Sequence, residues 1–406
     1  MQKIPFAALL FCTLVGQAQF KADNVRYTTV FPEELCKTLT ANPGYILLDV
    51  RSQGEFEDTL SSSEDLNIGH IKGALHIDIR QLPQRWRELL AYKDKPLFIY
   101  CSHSQRSRRA SRLLADSGFT KLFNVNGGLT DFYNQAIESD PCTAFQIVTS
   151  VGYKVISSKE LEANVQQGKS YVMVDVRNDS AFKGISAEEK SKAQGRFEEA
   201  INVPFDKFMS QHSFVFPEKP ILLIDESGDI SPKAAKLLLG KGFKDVNILF
   251  NGMEGWNDYV LNAGLKSSIR QRKYVNYDLF SPEDFYKITK SNQEYALIDL
   301  RTNDEFRNAS KNYWQNIGRL KGAINIPATD LPKSKLLPKS KDTPIVIYGF
   351  NAQPEIFTAA AWLKSSGYKT VSILSGGIWG IRWAAHNIQG KSDLNNLVEN
   401  VPPENE

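Results

Sequence analysis

An ordered set of five short motifs occurs three times along the 406-residue chain. An apolar run ending in Asp-x-Arg stands at LLDVR (47–51), MVDVR (173–177) and LIDLR (297–301), and each arginine is followed by a phenylalanine, Phe56, Phe182 and Phe306. A glycine-led segment comes next: GHIKGALHI at 69–77, GRFEEAINV at 195–203 and GRLKGAINI at 318–326. The fourth motif is an apolar run after proline, PLFIYC (96–101), PILLID (220–225) and PIVIYG (344–349). The set closes with NGGL (126–129), FNGM (250–253) and SGGI (375–378). Five motifs in one order, recurring at a period of about 125 residues, specify three copies of one domain. The length agrees, since roughly 150 residues per domain would allow about three.

Composition narrows the class further. With 42% hydrophobic and 23% charged residues, there is enough apolar surface to build packed cores. The net charge of +3 is far too small for a protein that grips a nucleic-acid backbone along its length, so any anion site is local. The first 18 residues read as a removable secretory signal: Lys3, an apolar stretch at 6–15 (FAALLFCTLV), then Gly16-Gln17-Ala18 as a small-x-small cleavage site. That stretch is too short to span a bilayer and no later run is longer, so the expected mature protein is exported, periplasmic or secreted, and not an integral membrane protein.

Within the first copy, short β-branched runs alternate with helical ones. Strands are predicted at 27–30, 45–50, 75–79, 97–100 and 122–125, and helices at 32–39, 82–90 and 107–117, the first opened by Pro32 and the last stopped by Gly118. Strands separated by helices, several too apolar to expose either face, imply an α/β fold with a parallel sheet covered on both sides.

In such sheets ligands bind outside the carboxyl ends of the strands, where loops feed helix N-termini. In the first copy that place holds CSHSQRS (101–107), running from the strand LFIY into a helix. Cys101 thus stands where loop N–H groups and the positive end of a helix dipole converge, and both favour a thiolate over a thiol. Arg106 follows, with Arg108, Arg109 and Arg112 beyond it. A nucleophilic sulfur beside a guanidinium predicts covalent chemistry on a small anion.

The order DVR, GHIKGA, YCSHSQRS and NGG resembles the rhodanese domain, the sulfurtransferase module, and the resemblance covers almost all of the chain after the signal. It implies three tandem rhodanese-like domains, each a parallel sheet with helices on both faces. It further implies that Cys101 carries sulfane sulfur as a persulfide. Arg106 and the loop residues Ser102, His103, Ser104, Gln105 and Ser107 would hold an anionic donor such as thiosulfate, and cyanide, a thiol or a protein would accept the sulfur. From Cys101 to Arg106 the loop has six residues, the length of sulfurtransferases; phosphatases of the same fold have one more. Family members commonly carry glycine where Ser104 stands. The implied chemistry needs no metal, flavin or nucleotide, and no motif for one is present.

Asp49 and Arg51, with Asp175, Arg177, Asp299 and Arg301, recur in all three copies and are expected to hold the fold. The Gly127-Gly128 pair is expected to allow a tight turn. His70 gives way to Arg196 and Arg319 and is not expected in catalysis. At the position of Cys101 the second and third copies carry Asp225 and Gly349, and Arg106 maps onto Ile230 and Pro354, so neither can form a persulfide.

After signal removal Cys36, Cys101 and Cys142 remain. Cys36 reads as a small buried hydrophobe, or as the partner of Cys142 in a disulfide that leaves Cys101 free. Expected borders are 20–140, 149–264 and 274–387, with KSSIRQRK (266–273) a solvated linker and 388–406 a flexible tail. A second reading is a non-catalytic protein whose units serve as binding or scaffold modules.

Overall fold

The structure is a computed structural model and describes residues 26–135, 146–210, 216, 218–291 and 293–402. The signal segment 1–18 and Cys142 lie outside the described residues. Each copy builds one five-stranded parallel sheet with the same strand order. In the first the strands are β1 (Thr28–Val30), β2 (Ile46–Asp49), β4 (Leu75–His76), β5 (Leu97–Tyr100) and β6 (Leu122–Val125), ordered β1-β6-β5-β2-β4. A separate short strand, β3 (His70–Ile71), precedes β4. The central strand is wholly buried in every copy, at Leu97–Tyr100, Ile221–Ile224 and Ile345–Tyr348. Sealing both faces of an apolar strand stabilises the sheet by about 1.5–3 kcal/mol per large side chain, and it fixes where the loop after each central strand emerges.

The motif set now has a mechanical explanation. Asp49 accepts from the Arg51 Nε and Nη2 groups, and Arg51 Nη2 also donates to the Gly69 carbonyl at 2.6 Å, tying the end of β2 to the glycine-led segment. In the same way Arg177 donates to Asp175 and to the Gly195 carbonyl, and Arg301 to Asp299 and to the Gly318 carbonyl. The recurring phenylalanine stacks on the residue after that glycine. Phe56 lies 4.0 Å from the His70 ring, while Arg196 and Arg319 sit over Phe182 and Phe306 at 4.4 and 4.7 Å. His70 is therefore a stacking residue, and its Nδ1 faces the Phe56 carbonyl.

After its last helix each copy returns to clasp the glycine-led segment. β7 (Ile147–Val148) pairs antiparallel with β3, Gln271–Arg272 with Arg196–Phe197, and Val398–Glu399 with Arg319–Leu320. The glycine is required there: at φ +75° a Cβ on Gly69 would lie 2.5 Å from the Val148 carbonyl oxygen. The clasp corrects two expectations. Residues 266–273 are not a solvated linker, since Gln271–Arg272 is a strand, Ile269 is buried, and Ser267 and Ser268 bind Glu162. Nor is 388–402 a flexible tail, because Leu394, Leu397 and Val398 are buried against the third copy. Two-residue strands are held by backbone pairing and leave no periodicity for a sequence to display.

The copies pack on one another. A single apolar cluster joins Phe98, Tyr100 and Leu129 of unit one to Tyr153, Ala235 and Phe250 of unit two. A second joins Ala193 of unit two to Tyr277, Phe357 and Ala360 of unit three. Cys36 is disulfide-bonded, and Cys101 is the free cysteine among the described residues.

Candidate functional site

Cys101 follows β5 directly, and helix Gln105–Asp116 begins four residues later. The loop folds back so that the Ser104 N–H donates to Sγ at 3.1 Å, and Ser107 Oγ stands 3.6 Å from the sulfur on the other side. Ser107 Oγ in turn donates to the Ser104 carbonyl at 2.9 Å. One loop amide and the hydroxyl of a residue in the first turn of the helix thus reach the sulfur. The side chain itself is only 1% exposed, so the sulfur forms the floor of a closed loop.

Ser104 stands at φ 123° and ψ −34°, a conformation that side chains rarely adopt and that costs on the order of 1–3 kcal/mol. Gly228 holds the same place in unit two at φ +97°. The serine uses its hydroxyl where glycine has none: Oγ accepts from the Gly127 N–H at 2.5 Å. The Gly-Gly motif does more than turn the chain. At φ +58° a Cβ on Gly128 would lie 2.2 Å from the Cys101 carbonyl oxygen, so glycine alone lets helix Gly128–Gln135 approach the loop. The Leu129 and Thr130 N–H groups then donate to the Cys101 and Ser102 carbonyls at 3.0 Å.

Arg106, expected to hold an anionic donor, has carboxylate and hydroxyl partners of its own. Its Nη1 and Nη2 donate to the two Glu55 oxygens at 2.6 and 2.7 Å, and Nη2 also reaches Ser102 Oγ at 2.6 Å. Three of its five N–H groups are thereby committed, and the side chain is 27% exposed. Burial alone would push the Glu55 carboxyl up, but the Arg106 hydrogen bonds and charge, with bonds from Ser52, outweigh it and hold the group at about 2. Glu55 is therefore ionised at neutral pH and fixes the guanidinium beside the loop.

The remaining loop residues separate by role. Ser102 is buried and bridges Arg106 to His103, whose Nδ1 lies 2.9 Å from Ser102 Oγ and whose Nε2 lies 3.3 Å from Thr130 Oγ1. His103 is exposed at the surface, yet crowding by protein, and secondarily the Arg106 charge, push the imidazole below its usual range. Gln105 is exposed and its side chain makes no hydrogen bond among the described residues. Glu55 and Ser52 stand outside the recurring motifs. They form a capping box at the start of helix Gln53–Phe56, and Ser-x-x-Glu there reads only as a helix start. The signal lay in comparing copies: Glu55 is matched by Glu305 but by Ala181 in unit two.

The equivalent segment of unit two, 225–231, has an occupied centre. One Asp225 oxygen accepts from Gly228 N–H at 2.8 Å, and the other from the Ile230 and Ser231 N–H groups at 2.6 and 2.8 Å. Burial raises this carboxyl and the three loop N–H bonds oppose the rise. In unit three Gly349 starts the loop and Pro354 opens the helix Pro354–Ser365, leaving neither a nucleophile nor a cation at the corresponding places.

Among the described residues no group of three or more His, Cys, Asp or Glu side chains could hold a metal, and no helix is long and apolar enough to cross a membrane.

Comparison with known proteins agrees with this architecture. The model of the rhodanese-like domain matches residues 32–135, 157–259 and 281–382. The chain is 39% identical over 105 residues to the uncharacterized protein YqhL of Bacillus subtilis, spanning 24% of this chain and 74% of that one. It is 29% identical over 101 residues to the tRNA uridine(34) hydroxylase of Cronobacter sakazakii, covering 24% of this chain and only 26% of that protein. Among solved structures, a thiosulfate sulfurtransferase from Pseudomonas aeruginosa aligns over 86% of this chain and 66% of its own, at 16% identity and a TM-score of 0.22. A rhodanese-related protein from Thermoplasma volcanium aligns over 27% of this chain and 94% of its own, at 26% identity and a TM-score of 0.22. Three family matches in register with three identical sheets establish that this chain belongs to the rhodanese-like domain family, as three copies in tandem.

Proposed function

We propose that this protein is an exported sulfurtransferase that carries sulfane sulfur on Cys101. The observation that carries the reading is Asp225. Its oxygens lie two bonds beyond Cβ, as the outer sulfur of a cysteine persulfide does, and they accept three loop N–H bonds. The equivalent segment of unit one, Cys101–Ser107, leaves the same strand end, which supports an acceptor atom at that depth.

In the first step the Cys101 thiolate attacks the outer sulfur of a donor such as thiosulfate. A new S–S bond forms to Sγ, the bond to the sulfonate sulfur breaks, and its electron pair leaves with sulfite. Arg106, fixed by Glu55, stabilises the departing anion with its uncommitted N–H groups. In the second step a thiol, cyanide or protein nucleophile takes the outer sulfur and the thiolate is restored. Because Sγ is closed from solvent, donor entry requires the side chains over the loop to part, with exposed His103 and Gln105 at the mouth. The disulfide at Cys36 supports an oxidising compartment. Units two and three support and do not react, since one loop is filled by its own carboxylate and the other lacks a nucleophile.

The test is incubation of the full mature chain with thiosulfate followed by assay of cyanide-labile sulfur. Stoichiometric sulfur on the native protein and none on Cys101→Ser is the expected result; no uptake by the native protein would favour a binding or scaffold role.

A further inference from the structure

We infer that the end of helix Gly377–Asn387 in unit three belongs to the apparatus that holds the Cys101 loop, with Asn387 as its positioning residue. This inference rests on the sulfurtransferase reading for its kinetic consequence, though not for its structural one.

Asn387 Nδ2 donates to the Trp383 carbonyl at 2.9 Å within its own helix, which turns the amide so that Oδ1 faces unit one. Oδ1 there meets Ser104 Oγ at 3.4 Å and the Arg108 Nη2 group at 3.1 Å. Arg108 Nη2 also donates to Asn126 Oδ1 at 2.9 Å, and Asn126 Nδ2 donates to the His386 carbonyl at 3.2 Å. Ser104 and Asn387 are each 4% exposed and Asn126 is sealed, so water does not compete for these bonds. The chain of contacts therefore runs from unit three to Ser104 Oγ, and from the Ser104 N–H to the sulfur.

The identity of residue 104 gives this network its meaning. Unit two has Gly228 at the equivalent place, where a positive φ costs nothing. Unit one instead has a serine at φ 123°, and the strain is offset by an Oγ that accepts from Gly127 N–H and donates to Asn387. A side chain held in a rare conformation by a residue 283 positions away in another copy is a clamp on the loop, and it gives the unreactive third copy a part in the chemistry of the first.

The experiment is a coupling cycle on the full-length chain, read by amide hydrogen exchange of the 101–107 segment and by kcat and KM for sulfur transfer. N387L removes the acceptor; it is expected to speed exchange of the 101–107 amides about fivefold and to lower kcat about tenfold with little change in KM. N387D keeps an acceptor and is expected to stay within twofold of the native protein in both. In a Ser104→Gly background, whatever the activity of that variant, N387L is expected to change kcat by less than twofold, because the Oγ link no longer exists. The proposal is overturned if N387L leaves exchange and kcat at native values, or if it lowers kcat equally in both backgrounds. N387A replaces N387L should the latter fail to fold, and failure of both to fold would contradict a role confined to the loop. If the native protein moves no sulfur, the functional reading fails while loop exchange still decides the clamp.

Discussion

Units one and two carry equivalent segments, 101–107 and 225–231, at the same strand end, and they differ in what projects into the centre. In unit two the Asp225 carboxylate takes the N–H groups of Gly228, Ile230 and Ser231 for itself. In unit one Cys101 Sγ takes one N–H, that of Ser104, and meets the Ser107 hydroxyl. The difference teaches that the inward N–H groups belong to the loop backbone, while what they bind depends on the residue at the floor. A second difference lies beside the cradle, where unit one has Glu55 and Arg106 and unit two has Ala181 and Ile230. The copy with the cysteine has a fixed cation, and the filled copy has none to fix.

The sharpest way to break the comparison is to make unit one resemble unit two. Cys101→Asp should fill its own cradle, so sulfur transfer falls by at least about a thousandfold while the melting temperature stays near the native value. A melting temperature lowered by many degrees would show that the two cradles are not equivalent.

Next in size is the cation. Arg106→Ala should lower kcat/KM for thiosulfate by about 10–100-fold, as loss of a charge-assisted bond of about 1.5–3 kcal/mol requires. It should also destabilise the fold, because Glu55 is left buried and unpaired. The double variant with Glu55→Gln should regain much of the stability and none of the activity. Recovery of activity in the double variant would mean that Arg106 serves only to neutralise Glu55.

Asp225→Ala probes the other side. It leaves three loop N–H groups without their acceptor and should cost about 2–4 kcal/mol in denaturant unfolding, with sulfur transfer per folded molecule within twofold of native. A large loss of transfer would place unit two in the chemistry.

The smallest effect is in pH. The Glu55 carboxyl is held at about 2 in the folded chain, below its ordinary value, so its contribution to stability is fully present above that ordinary value. It is lost progressively as pH falls from that ordinary value through about 2. The stability difference between native protein and Glu55→Gln should accordingly be constant from pH 7 to about 5.5 and shrink below about 4.5. A difference that changes near neutrality would contradict the ion pair.

How far these features were legible depended on their range. The Cys101 loop was readable because everything it needs lies in one stretch: an apolar strand, the nucleophile, and an arginine opening a helix. The Asp-x-Arg pairs were readable because they recur where no nucleophile exists. Glu55 was hidden since its contact with Arg106 joins two motifs, and its local pattern explains itself as a helix cap. Asn387 had no local pattern at all; its partner is set by how unit three docks on unit one. The basic stretch at 266–273 and the segment after Gly390 looked loose because charge and short strands hide backbone pairing.

The most direct measurement is a crystal structure of the thiosulfate-treated native protein. The account predicts one additional atom bonded to Cys101 Sγ, within hydrogen-bond distance of the Arg106 and Ser107 N–H groups, the counterparts of those that bind Asp225. An unmodified sulfur after treatment, or an outer sulfur turned away from those amides, would contradict it.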